Sequence, residues 1–369
     1  MSIINKDILF LTFKELQDDS KSIFSCLMNK NYLFFIIAYY LFGDIEEFIT
    51  NQGIQLPSSS NQSLLSYDSI CELNCNTSVG STYFYGLSQC CQNIQRLNIV
   101  NIDISPNDGI VKLIEVRKNL KYFEYLQDFI HTLLPCILPK FHKLKKLAID
   151  VDLFFTGEEE LLKSLIYHDL EILNIDSSNL NVISSIIENC GGRLKKILFR
   201  PYDLKEIRRD FKNSNTLNFI RKVYENCPLI EYLSIVLLPS KEHFNEFEKL
   251  LKICKNLKYL WLGKLSINRI ESLEEITENG GTLLKIFINS APTNLKELRF
   301  FEEFKFSLEN LEEFLGKWKG CPFSILTCDS LYESEDYKKL IDKYKNNGII
   351  KEFRYEIDYR ELINSFIVL

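Results

Sequence analysis

The residues of this chain that could carry catalysis or hold a metal are scattered along it. The four histidines are His131, His142, His168 and His243, and none shares metal-ligand spacing with a cysteine. The chain has no glycine-rich phosphate loop, no zinc-protease histidine pair and no serine nucleophile elbow. Cys71 with Cys75, or Cys90 with Cys91, could bind a metal, but buried structural cysteines are the better interpretation. We therefore expect no enzyme activity, catalytic residue, metal site or cofactor.

Composition narrows the class of protein further. The chain has 369 residues, 46% of them hydrophobic and 25% charged, which suits a globular protein with a large core. Its net charge of −6 predicts no nucleic-acid partner. The longest apolar stretch, Tyr32–Phe42, is far shorter than the roughly 20 residues that cross a bilayer, so we expect no membrane partner. Eleven cysteines without a C-x-x-C pair predict reduced thiols and a cytoplasmic or nuclear location, or both.

An internal repeat dominates the chain from residue 70 onward. Apolar residues recur at an anchor position and at three and five residues after it, and most successive anchors are 24–27 residues apart. The triplets begin at Ile70, Ile94, Leu120, Leu144, Leu170, Leu194, Ile230, Leu257, Leu283, Leu295, Phe323 and Ile350. Each predicts a short strand whose alternate side chains enter the core.

The segments between the anchors have helical periodicity. Their apolar residues follow i, i+3, i+4, i+7 spacing, as in Phe247, Leu250, Leu251 and Cys254, with Phe244 one turn earlier. Similar stripes include Ile183, Ile186, Ile187 and Cys190; Ile220, Val223, Tyr224 and Cys227; and Tyr337, Leu340, Ile341 and Tyr344. Charged residues such as Glu246, Glu248 and Lys249 are expected on the outer face. A strand-and-helix unit of about 26 residues buries its faces only by stacking on its neighbours.

These repeats resemble leucine-rich repeats, which have the pattern L-x-x-L-x-L followed by a helix. Cys91, Cys227 and Cys254 each lie three residues before an anchor, as in cysteine-containing members of that family. The resemblance implies an α/β, right-handed leucine-rich-repeat solenoid, with short parallel strands on the concave face and helices on the convex face. It covers about residues 67–369, and the polar residues 46–66 are interpreted as a linker or first loop.

In the N-terminal residues 1–45, the apolar residues Ile8, Leu9, Phe13 and Leu16 make one helical face. This segment resembles an F-box, an all-α module, and its sequence is similar to that of a large fungal family of F-box-like proteins. Ile4 and Asp7 take the places of Leu and Glu in the family pattern, and Ile8, Leu9, Phe13 and Leu16 match it directly. Asn5, Thr12 and Tyr32 depart from it. Members of the family dock this module on the adaptor subunit of a cullin-based SCF ubiquitin ligase. The residues expected to bind the adaptor are Ile8, Leu9, Phe13, Leu16, Phe24 and Leu27; alternatively, they cap the end of the repeats.

The outward strand positions, two and four residues after each anchor, predict where a protein substrate binds. Near Lys196 and Lys285 these positions carry several large apolar residues, the composition of a binding hot spot. The predicted substrate-binding residues are Leu198, Tyr232, Tyr259, Trp261 and Phe287. Alternatively, Trp261 and Phe287 are covered by the C-terminal part of the chain or by the loop near residues 200–215. The resemblance thus implies a substrate-recognition subunit of an SCF-type ligase, with the adaptor, a cullin and an unidentified protein substrate as partners. The alternative is a free-standing interaction scaffold with a decayed F-box.

Overall fold

A computed structural model describes residues 71–76, 80–101, 107–127, 137–150, 165–176, 180–199, 213–264, 271–301 and 304–355. The chain divides into two compact units, Met1–Phe141 and His142–Leu369. The six residues expected to bind the adaptor, and the boundaries predicted near residues 45 and 66, lie outside the described residues.

In the described part of the first unit, three parallel strands follow chain order, and β1 pairs with β2 and β2 with β3. The strands are β1 Glu72–Asn76, β2 Arg96–Asn101 and β3 Tyr122–Gln127. Helices α1 Ser81–Cys90 and α2 Asp108–Glu115 alternate with them and pack on each other, and a 3₁₀ turn spans Leu138–Lys140. The alternate strand residues Leu97 and Ile99 are buried between strand and helix layers, as the triplets predict.

Eight strands of the second unit lie within the described ranges, and they also follow chain order, each parallel to its neighbours. They are β4 Lys146–Asp150, β5 Ile172–Asp176, β6 Lys196–Phe199, β7 Tyr232–Leu237, β8 Tyr259–Lys264, β9 Glu297–Phe301, β10 Phe323–Thr327 and β11 Ile350–Tyr355. The helices are α3 Leu180–Glu188, α4 Asn213–Asn226, α5 Lys241–Ile253, α6 Leu273–Ser290, α7 Leu308–Lys317 and α8 Glu335–Asn346, and a 3₁₀ turn spans Ser330–Glu333. This repeated strand-and-helix order confirms the predicted α/β leucine-rich-repeat class.

Local signals fix where the helices begin and end. Ser272 and Glu275 form a capping box at the start of α6, each side chain bonding the other residue's backbone N–H. Beyond α3, Gly191 and Gly192 have φ values of 68° and 77°, in the region that favours glycine. A Cβ on Gly191 would lie 2.9 Å from the carbonyl oxygen of His168. This glycine pair therefore follows the end of α3 in a conformation that other residues adopt only with strain.

The buried side of each repeat is continuous along the second unit. Cys190, Cys227 and Cys254, each between a helix and the next strand, are fully buried. Leu260 and Leu262 of β8 are also fully buried and stand in register with Leu233 and Ile235 of β7. Complete burial of such leucine side chains stabilises the fold by about 1.5–3 kcal/mol each. Consecutive repeats therefore hold one another in place.

Two of the predicted strand triplets are wrong. Leu283, Ile286 and Ile288 lie within helix α6, because Leu283, Leu284, Ile286 and Phe287 form a buried helical stripe. The i, i+3 spacing of that stripe imitates the first half of a strand triplet. In β10, Ile325 pairs with Leu298 and Leu326 with Arg299, so the inward residue is Ile325 and the predicted triplet is out of register by one.

Glu246, expected on the solvent face of its helix, is instead only 6% exposed. The hydroxyl of Tyr224 donates to its Oε2 at 2.9 Å, and Lys249 and Arg221 reach its Oε1 at 3.0 and 3.3 Å. Burial acts to raise the pKa of this carboxyl group, but these hydrogen bonds outweigh burial and hold the pKa below its usual value. The carboxylate thus joins α4 to α5.

Candidate protein interface

The outer face of the second unit's sheet is formed by the strand residues that alternate with the buried ones. In β6–β9 the strand register places two rows of side chains on this face. The first row is Lys196, Tyr232, Tyr259 and Glu297, and the second is Ser234, Trp261 and Arg299. Leu198, two residues after Lys196 on β6, alternates with the inward Ile197 and therefore shares the outer face with the second row. Four of the five predicted substrate-binding residues lie on this face.

Three members of the first row, Lys196, Tyr232 and Tyr259, are partly accessible and stack across the strands. The rings of Tyr232 and Tyr259 lie 4.3 Å apart and within 7° of parallel. The ammonium of Lys196 lies 4.0 Å from the centre of the Tyr232 ring, a cation–π contact. Burial, followed by the neighbouring Tyr259, raises the pKa of Tyr232 to about 12, so its hydroxyl stays protonated at neutral pH. All three side chains keep partial contact with solvent.

The second row, together with Leu198, is almost completely buried. Leu198 is 6% exposed, Trp261 2% and Arg299 1%. A Cβ on Gly263 would lie 3.1 Å from the Trp261 indole, so the ring lies along β8 in the space that the glycine leaves. The Arg299 guanidinium is held 2.6 Å from the Glu297 carboxylate. The expectation that Trp261 is exposed is therefore wrong.

Phe287 does not lie on the sheet. It belongs to helix α6, where it is 1% exposed. Its ring packs edge-on against Phe247 of α5 at 5.7 Å and near Phe314 of α7 at 6.1 Å. The assignment of Phe287 to the outer face followed from the mistaken strand triplet. The structure brings Tyr232, Tyr259, Trp261 and Leu198 together and places Phe287 in the helix layer.

A ladder of charged residues, which the repeat pattern did not predict, runs along the edge where the strands begin. Glu171 accepts hydrogen bonds from Lys145 at 3.0 Å and Lys195 at 2.8 Å, and these bonds lower the pKa of its carboxyl group. Further along, Lys258 and Glu231 are 2.7 Å apart. In the sequence, this ladder is marked by the charged residue that directly follows each anchor from Leu144 to Leu257.

The backbone explains why this ladder is regular. The Lys145 carbonyl accepts from the backbone N–H groups of both Glu171 and Ile172, at 2.8 and 2.9 Å. The same two-donor arrangement recurs on the carbonyls of Glu171, Lys195, Glu231 and Lys258. Because equivalent carbonyls are used on successive strands, equivalent side chains stand beside one another at this edge.

The first unit carries a comparable row on its own strands. Arg96 of β2 lies 3.4 Å from the carboxylate of Glu72 on β1 and 4.6 Å from the ring centre of Tyr122 on β3. Asn98 donates a hydrogen bond to Asn74 in the next row. Cross-strand pairs of this kind fix the register and order the outward side chains.

The described residues contain no cluster of three His, Cys, Asp or Glu side chains that could hold a metal. Burial raises the pKa of Cys75 to about 12, so its thiol stays protonated and is a poor ligand. Within the described ranges no helix is both long and apolar enough to cross a bilayer.

Comparisons with known proteins match a solved structure but no family. No family model matches the chain, and no curated protein does. The crystal structure of the Rad7 and Elc1 complex in yeast contains a chain that aligns with 88% of this protein over 87% of its own length. The two are 14% identical with a TM-score of 0.47.

Proposed function

We propose that this protein is a non-catalytic substrate-recognition subunit of an SCF-type cullin ubiquitin ligase. In this role the N-terminal F-box-like module docks on the adaptor subunit, and the repeats bind a protein substrate. The observation that carries the assignment is the pairing of an F-box-like pattern at residues 4–32 with a parallel repeat sheet. An F-box performs no reaction itself, and a repeat sheet offers an extended surface for another protein.

The outer sheet face supports the second half of this role. Partly exposed tyrosines are typical of protein interfaces, where amphipathic rings combine contact area with hydrogen bonding. Tyr232 and Tyr259 are already ordered by stacking, and Lys196 is held over Tyr232. A partner that binds there loses little side-chain entropy in ordering them.

A free-standing interaction scaffold is the second candidate. Asn5, Thr12 and Tyr32, which depart from the F-box pattern, favour it. The two candidates share the repeat surface and differ only in whether the N-terminal module binds the adaptor.

Co-expression with the adaptor separates the candidates. We expect the wild-type chain to retain the adaptor in a pull-down, and Leu9→Asp with Phe13→Asp to lose it. Val100→Asp with Val116→Asp is the matched control, because both valines are exposed apolar residues in the described part of the first unit. A Leu9, Phe13 double variant that keeps wild-type adaptor levels would eliminate the docking role and leave the scaffold.

A further inference from the structure

The start of strands β4–β9 carries a concentration of positive charge in a chain whose net charge is −6. Lysines occupy these strand-entry positions repeatedly, and we call them the basic strip: Lys145, Lys146, Lys195, Lys196, Lys258 and Lys296. The glutamates at equivalent positions are Glu171, Glu231 and Glu297. Among the described residues at these positions, six lysines stand beside three glutamates, and Glu297 is ion-paired with Arg299. Lysines therefore predominate over glutamates along the strip.

The strand register brings two of these lysines into one row. Lys146 of β4 and Lys196 of β6 both stand opposite Ile172 of β5. Two inter-strand steps of about 4.8 Å separate their backbones. Burial, together with repulsion from Lys146, lowers the pKa of Lys196, whereas Glu231 acts to raise it. An anion placed between the two ammonium groups relieves this repulsion.

The aromatic members of the row limit what kind of anion fits. Tyr232 lies between Lys196 on one neighbouring strand and Tyr259 on the other, so both of its ring faces are occupied. A nucleic-acid base needs an open ring face on which to stack. The row instead presents ring edges, hydroxyls and ammonium groups, which suit carboxylate acceptors.

We propose that the basic strip, with Tyr232 and Tyr259 at its end, binds an acidic peptide segment of the partner protein, lying across the strands from β4 to β8. Four inter-strand steps correspond to about 19 Å, the length of about six extended residues. The inference rests on the proposed function in one respect, namely that this sheet face receives the substrate. It names the chemistry of that substrate: closely spaced Asp and Glu side chains.

The test is fluorescence polarisation with the purified full chain and no adaptor, so adaptor docking has no influence on the result. The probes are fluorescein-labelled octapeptides rich in Glu, rich in Lys, or made of Ser and Gly, and a short single-stranded oligothymidine. We expect the Glu-rich peptide to bind best and to weaken as salt is raised, since exposed charge pairs are screened. Equal binding of all three peptides, or tighter binding of oligothymidine, would overturn the proposal.

Charge variants locate the binding site. Lys146→Glu with Lys196→Glu should weaken Glu-rich peptide binding by at least about tenfold, whereas Lys241→Glu with Lys339→Glu, on exposed helix positions, should not change it. Lys146→Gln with Lys196→Gln serves if the first variant unfolds, and it should show a smaller loss. Unchanged binding in folded strip variants, or the same loss in the helix control, would contradict the assignment.

Discussion

The buried side chain of His243 should make the folded protein less stable as the pH falls from about 6.5 to about 4. This side chain is fully buried at the start of α5, with Thr216 Oγ1 2.7 Å from Nε2 and Ser240 Oγ 3.0 Å from Nδ1. Burial, followed by the charge of Arg221, lowers the pKa of His243 from 6.5 to about 4. The folded protein therefore holds a neutral imidazole over a range in which the unfolded chain binds a proton.

The sign and size follow from proton linkage. Between about pH 6.5 and pH 4 the unfolded state binds more protons than the folded state, so stability falls as the pH falls through that range. A difference of 2.5 pKa units corresponds to roughly 3 kcal/mol, with a slope of at most about 1.4 kcal/mol per pH unit. Above about pH 6.5 His243 is neutral in both the folded and the unfolded state, so it no longer makes stability depend on pH.

The measurement compares denaturant unfolding of wild type and His243→Gln at several pH values from 4 to 7.5. The difference between the two unfolding free energies cancels the effect of the carboxyl groups, because these titrate in both proteins. We expect the wild-type advantage to shrink by roughly 3 kcal/mol on acidification, and His168→Gln, which replaces an exposed histidine of the same unit, to follow the wild type. A wild-type advantage that is the same at pH 7 and pH 4.5 would refute the assignment of a neutral, buried imidazole.

Four further substitutions test the packing and the charge ladder. Leu260→Ala should lower the free energy of unfolding by about 2–5 kcal/mol, and Trp261→Ala by about 3–5 kcal/mol, in denaturant titrations, because both side chains are buried; a Trp261 variant with wild-type stability would show an exposed indole. Gly191→Ala should cost at least about 1 kcal/mol, because φ is positive and the His168 carbonyl is close; an unchanged melting temperature would exclude that strain. Glu171→Gln should cost under about 1 kcal/mol, and less at high salt, because its lysine partners are partly exposed; a larger, salt-independent loss would contradict this.

The repeat itself is predictable because strand triplets and helical stripes each have a fixed period. Leu233 with Ile235 and Leu260 with Leu262 face inward as expected. The prediction was wrong where two periods coincide. Leu283 and Ile286 suit either a strand triplet or a helix, and the capping box at Ser272 decides for a single long helix.

The outer face was harder to predict than the core. The sequence places Trp261 on an outward strand position, but it does not show that the indole lies over Gly263 and is buried. The burial of Glu246 depends on Tyr224 and Arg221 of the neighbouring helix, which hydrogen-bond its carboxylate. Such contacts join residues more than twenty positions apart, beyond what local periodicity reports.

Binding of the isolated adaptor subunit to the purified full chain tests the central claim most directly. In a calorimetric titration we expect a one-to-one complex, and no heat of binding when the chain carries Leu9→Asp and Phe13→Asp. Circular dichroism of both proteins should show the same folded repeats. A folded wild-type chain that takes up no adaptor would contradict the assignment to a ubiquitin ligase.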